Sequence, residues 1–132
     1  MKRRSSSTWI LVGLWFVALS IVLGTWWIIA AQTKVAHELA QRIEGIEAEV
    51  LNGDWENASQ LIRELMIRWE KTRQVWAFHT EHAEMDEVTD ALIEAEALIA
   101  ANEAGALAPL RKARDRIVTL PQRDRLDLEN LF

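Results

Sequence analysis

The sequence contains no cysteine, so no disulfide staples it and no thiol chemistry is open to it. Only two prolines and five glycines interrupt 132 residues, and β-branched runs are few after the first third of the chain, so strand signals are missing and helix signals dominate. Beyond residue 32 there is a single serine, Ser59, set beside Gln60 with no histidine near it in sequence. No glycine-rich phosphate loop, nucleophile elbow or zinc-protease motif occurs. A pair of carboxylates for glycoside chemistry could be drawn from twenty acidic residues in so many ways that no choice carries weight. The expectation is a protein that is not an enzyme and needs no cofactor or metal.

Charge is absent from residues 9–31, a run of 23 residues. At about 1.5 Å per residue such a helix is roughly 34 Å long, enough to cross a hydrocarbon core of about 30 Å. A core helix of so small a protein has no reason to be apolar on every face, so 9–31 reads as a transmembrane helix contacting lipid. Lys2, Arg3 and Arg4 precede it, and basic flanks are retained in the cytoplasm. Trp9 at one end and Trp26 with Trp27 at the other suit the two interfacial belts. A cleaved secretory signal would have a shorter apolar run, about 7–15 residues, and a small-x-small exit. The bulky Trp26 and Trp27 crowd that exit, which favours an uncleaved anchor. The expected organisation is a cytoplasmic basic N-terminus (1–8), the span (9–31), an extracytoplasmic helical domain (34–120) and a C-terminal tail (121–132).

All twenty acidic residues follow the span, whereas three of the fifteen basic ones precede it, so residues 34–132 carry a net charge of −8. Such a surface repels phosphate backbones, and nucleic acid is not expected as a partner.

Within that acidic part, apolar residues recur at helical spacing. Ala36, Leu39, Ile43, Ile46 and Val50 form one stripe on a helix continuing from the membrane. Asn52-Gly53-Asp54 ends it, with Gly53 suited to a left-handed closing position and Asp54 to capping the next helix. That second helix carries Trp55, Ala58, Ile62, Leu65, Trp69, Thr72 and Trp76 in steps of three and four, the seam of helices packed at a shallow angle. Continuing the seam would bury His79 and Asp86, which is costly. A turn is therefore expected between 78 and 82, with Thr80 as the cap of a third helix; one long helix through 102 is the alternative. Met85, Val88, Leu92, Ala95 and Ile99 line the third helix, and Leu107, Leu110, Ile117 and Leu120 the fourth. Pro109 belongs in the first turn of the fourth helix or kinks it, and Pro121 is expected to stop it. The segments opening at Gly53-Asp54 and at Asn102-Glu103 echo one another about fifty residues apart. The fold class is thus all-α: one transmembrane helix followed by an antiparallel bundle of helical hairpins, about four helices in all.

Three features could carry function. Trp55, Trp69 and Trp76 form either the core between helices or, in part, an exposed ridge for a partner. The segment His79-Thr80-Glu81-His82-Ala83-Glu84-Met85-Asp86 gathers two imidazoles and several carboxylates. On a continuous helix His79, His82 and Asp86 would share a face and could hold a divalent ion. The favoured reading is a polar helix start, with Glu84 at the positive end of the dipole and His82 bonded across the turn. Arg111, Lys112, Arg114 and Arg116 make the fourth helix basic where the third is rich in Glu84, Glu87, Glu94 and Glu96, so opposite charges would help to pair them.

The order of these features resembles the small bacterial membrane proteins grouped as a domain of unknown function, number four-three-six-three. The resemblance rests on the N-terminal span, Trp55 and Trp69, Phe78 with His82, Glu84 and Asp86, and the closing Leu128-Glu129-Asn130-Leu131-Phe132. It implies a bacterial envelope protein, often of Gram-positive spore formers and often encoded beside multi-span membrane proteins. It implies no known activity. The expectation is a non-enzymatic accessory or scaffold subunit in the bacterial cytoplasmic membrane, N-terminus inside and helical module outside, contacting a larger membrane protein or itself. The alternative is an extracytoplasmic sensor or ligand-binding domain that signals through a membrane partner, since the eight residues before Trp9 are too few for an output domain.

Overall fold

The computed structural model describes residues 4–78 and 80–129, with side chains for 7–78 and 80–123. The described residues form helices and short turns, with no strand: α1 (Arg4–Asn52), α2 (Trp55–Trp76), α3 (His82–Ala100), a 3₁₀ turn (Ala104–Ala106) and α4 (Leu107–Glu129). The chain divides into two compact units, residues 1–32 and 33–132.

The first unit is the apolar part of α1. It is long and apolar enough to cross a membrane, with a mean hydropathy of 2.1 in its most apolar window and none of that window buried. Fifteen large apolar side chains between Trp9 and Ile28 are exposed, on every face of the helix. Each would gain about 1.5–3 kcal/mol on burial, so together they outweigh the ~5–15 kcal/mol that is the whole net stability of an ordinary domain. The polar side chains turn inward on the helix itself: Ser20 Oγ donates to the Phe16 carbonyl and Thr25 Oγ1 to that of Ile21, both at 2.8 Å. Such bonds satisfy a hydroxyl without water.

The second unit is a helical bundle. The rest of α1 buries one stripe only, Ala36, Leu39, Ala40, Ile43, Ile46 and Val50, together with Glu47. On α2 the seam from Ala58 through Ile62, Leu65, Trp69 and Thr72 to Trp76 is buried. α3 contributes Met85, Val88, Leu92, Ala95 and Ile99, and α4 Leu110, Ala113, Ile117 and Leu120. All of these but Ala40 and the polar members join one continuous core. The most extensive pairing is between α3 and α4, where Ala91, Ala95 and Ala113 are buried and small side chains let backbones come together.

The echo between the segments near 53 and 102 has a structural meaning. α1 ends with Gly53 N–H donating to Val50 O and Asp54 N–H to Glu49 O (3.1 and 3.0 Å); α3 ends with Asn102 N–H donating to Ile99 O and Glu103 N–H to Leu98 O (3.0 and 2.9 Å). Both are Schellman closures, in which one left-handed residue satisfies the last free carbonyls. Gly53 takes that position at φ 71° and Asn102 at φ 57°. Asp54 then caps α2, its Oδ1 accepting from the Asn57 N–H at 3.2 Å.

Two boundaries differ from expectation. The turn between α2 and α3 is real, so the single long helix is excluded, but Thr80 is not the cap. Its N–H bonds back to the Trp76 carbonyl at 2.9 Å; it closes α2, and the extended Glu81 (φ −63°, ψ 127°) precedes α3 without a side-chain cap bond. Pro121 does not stop α4, which continues to Glu129, so the expected tail of 121–132 is helical through that residue. The ring removes one N–H and would cost about 3 kcal/mol in an exposed helix interior; here Leu120 and Pro121 are both buried, which offsets it. The closing residues 130–132 lie outside the described residues. Pro109 sits in the first turn of α4, where its missing N–H has no helical partner to lose.

Candidate interaction surface

α2 places its tryptophans at the heart of the second unit. Trp69 and Trp76 are 2% and 3% exposed, and Trp55 is half-buried at the opposite end of the helix. Seven residues bring Trp69 and Trp76 onto one face, where their rings meet edge-on with centroids 6.1 Å apart and planes at 89°. The Trp69 indole N–H donates to Thr89 Oγ1 on α3 at 2.9 Å. Arg73 Nη1 donates to the same oxygen at 3.3 Å, and the Thr89 hydroxyl donates to the Met85 carbonyl at 3.0 Å.

The polar junction resolves into separate pairs. Glu84 accepts from Arg123 of α4, and Asp86 pairs with Arg73 of α2 at 3.3 Å. His82, expected to be bonded across the turn, is exposed as the first residue of α3; with the cap shifted to Glu81, its ring falls on the outer side of the first turn. His79 lies outside the described residues. Among the described residues no three His, Asp or Glu side chains converge as metal ligands would.

The basic side of α4 meets two acidic neighbours. Arg116 pairs with Glu87 of α3 at 3.0 Å. Arg114 turns the other way, to α1: its Nη1 lies 2.9 Å from Glu47 Oε2 and 4.0 Å from Glu44 Oε1. Glu47 is one of few buried polar residues, and its Oε1 is enclosed without a hydrogen-bond partner among the described residues. Sequence reasoning passed over this pair, although a carboxylate between Ile46 and Val50 on a core stripe is the signal that an opposite charge must meet it. Beside it an open groove of about 470 Å³ runs between α1 and α4, lined by His37, Ala40, Gln41, Glu44, Arg114 and Val118 among others.

Away from the core, the bundle exposes Leu51, Ile67, Val75, Phe78, Ile93 and Val118, of which Phe78 is the most accessible at 85%. Ile67 lies on the side of α2 turned away from the tryptophan seam, and Phe78 follows in the turn after that helix.

No curated protein and no solved structure matches the chain. Residues 26–131 match the family described as Domain of unknown function (DUF4363). That match takes in the whole helical bundle and the end of the apolar helix, and the chain belongs to this family.

Proposed function

We propose that this protein is a membrane-anchored accessory or scaffold subunit that holds a helical interaction module at the outer face of a bacterial cytoplasmic membrane. The observation that carries it is the apolar helix of residues 9–31, none of whose most apolar window is buried, covalently continuous with a bundle that packs a core of its own. Such a helix is stable only where lipid or protein covers it, and Lys2, Arg3 and Arg4 favour a cytoplasmic N-terminus. The partner is a larger membrane protein or a second copy of the chain. Crosslinking in native membranes followed by mass spectrometry tests this. A stoichiometric protein partner is the expected result, and recovery of the uncrosslinked monomer alone would overturn it.

One observation favours a second reading, an extracytoplasmic sensor: the groove beside Arg114, whose His37, Gln41 and Glu44 could contact a small polar ligand or metal ion. A thermal melt of the full chain with zinc and then with chelator separates the two. A rise of several degrees at stoichiometric zinc, abolished by His37→Ala, would favour the sensor, because an ion bound only by the folded state raises its stability.

A further inference from the structure

The turn between α2 and α3 carries the most exposed large apolar side chain of the bundle. Phe78 is 85% exposed and Val75, one turn earlier, 66%. The core makes no use of either, since its seam on α2 runs through Trp69, Thr72 and Trp76. An exposed apolar residue alone is ordinary, so what matters is where this one stands. Within the bundle α1 and α2 are antiparallel about Gly53. Arg68 reaches Glu38 at 3.4 Å, and the two lie equally far from Gly53 along the chain. By the same register Arg73 stands opposite Thr33, where the chain enters this unit, and Phe78 lies more than a helical turn further on. The residues that precede Thr33 in the chain are the end of the uncharged run, Trp26-Trp27-Ile28-Ile29-Ala30-Ala31.

The charges around the turn are arranged to suit the same surroundings. Glu84 is paired with Arg123 and Asp86 with Arg73, which lowers the cost of bringing carboxylates near an interface. Glu81 and His82 remain exposed, so the turn can enter the headgroup layer by its leading edge and no deeper.

We propose that Phe78, with Val75, docks into the headgroup layer of the bilayer spanned by residues 9–31, making the α2–α3 turn a second, peripheral membrane contact of the bundle. This rests on the anchored reading above. It gives the bundle two points of attachment, so that its outward face is presented in a fixed orientation.

The chain has no cysteine of its own, so single nitroxide labels are unambiguous. The full chain is reconstituted in phosphatidylcholine–phosphatidylglycerol vesicles with a label at Phe78→Cys, at Leu51→Cys on the far turn, or at Leu19→Cys in the apolar helix. Collision with oxygen, which concentrates in lipid, is compared with collision with a water-soluble nickel chelate. The expected oxygen-to-nickel ratio is several-fold higher at 78 than at 51, and highest at 19. A ratio at 78 equal to that at 51, with 19 still in lipid, overturns the docking alone. Water access at 19 overturns the anchored reading itself. A label at 78 shielded from both reagents means protein covers the turn, and also overturns the proposal. Should Phe78→Cys lose the parent's helical circular dichroism, Val75→Cys takes its place with the same expected order.

Discussion

α1 is one helix with two kinds of surface. Up to Ile28 its large apolar side chains are exposed in every direction, whereas from Ala36 to Val50 it buries a single stripe and carries Glu38, Arg42, Glu44 and Glu49 outside that stripe. Backbone hydrogen bonding is the same in both parts, so backbone geometry does not distinguish them. What differs is the surroundings each part suits on the proposed reading: a bundle needs apolar residues at three- and four-residue steps, a bilayer needs them everywhere. The two parts should therefore fail in different ways, and substitutions in one should leave the other's behaviour intact.

The largest expected effect is in the bundle. Trp69→Ala removes a buried indole and leaves a cavity, which should cost about 3–5 kcal/mol, enough to unfold a small domain of marginal stability. Denaturant unfolding of the full chain in detergent measures it, and membrane retention should persist. If the melting behaviour is unchanged and a crosslinked partner is lost instead, Trp69 belongs to an interface. Arg114→Met comes next. It strands the enclosed Glu47 carboxylate, and breaking a buried pair from one side costs about 3–5 kcal/mol, here at the lower end because Arg114 is partly exposed. The double variant Glu47→Leu, Arg114→Met should recover most of the loss, since a well-packed apolar pair is as stable as a buried ionic one.

In the other half of α1, Leu19→Arg should weaken insertion by about 3 kcal/mol on the insertion scale without loosening the bundle. Alkaline extraction of membranes reads the first effect and protease resistance of the bundle the second. Gly53→Ala is smaller still. A side chain at φ 71° meets no neighbour within 4 Å, so the whole cost is backbone strain, about 1–2 kcal/mol, visible as a shift in the unfolding midpoint at constant slope. Arg116→Ala should change stability by less than about 1 kcal/mol, because its partner Glu87 is exposed and screened. A larger effect there would show that charge, and not the alanine packing, holds α3 against α4.

Much of this was legible from residue spacing. The uncharged run, the apolar stripes, the closure at Gly53 and the cap at Asp54 all follow from local rules that a helix cannot evade. All seven positions that the sequence placed on the α2 seam, Trp55, Ala58, Ile62, Leu65, Trp69, Thr72 and Trp76, are at least half-buried. What escaped depended on tertiary context. Pro121 reads as a helix stop, because the burial that offsets its missing bond is supplied by other helices. Thr80 reads as a cap, because the sequence does not show that its N–H is already committed to Trp76. Glu47 and Arg114 are 67 residues apart, and only the bundle brings them together.

Thr89 illustrates what a single hydroxyl can decide. One oxygen offers one proton and two lone pairs, and here all three are spoken for, by Met85 on its own helix and by Trp69 and Arg73 on α2. Sliding α2 along α3 by one turn would break both contacts from α2 at once and set side chains of other sizes where Trp69 now packs. The hydroxyl thus acts as an index pin: it adds little to how strongly the two helices hold, about one or two hydrogen bonds' worth, and a great deal to which of their alignments survives. Thr89→Val takes away the acceptor of the buried Trp69 indole N–H, so it should lower stability by about 1–3 kcal/mol and shift the fluorescence spectrum of that indole.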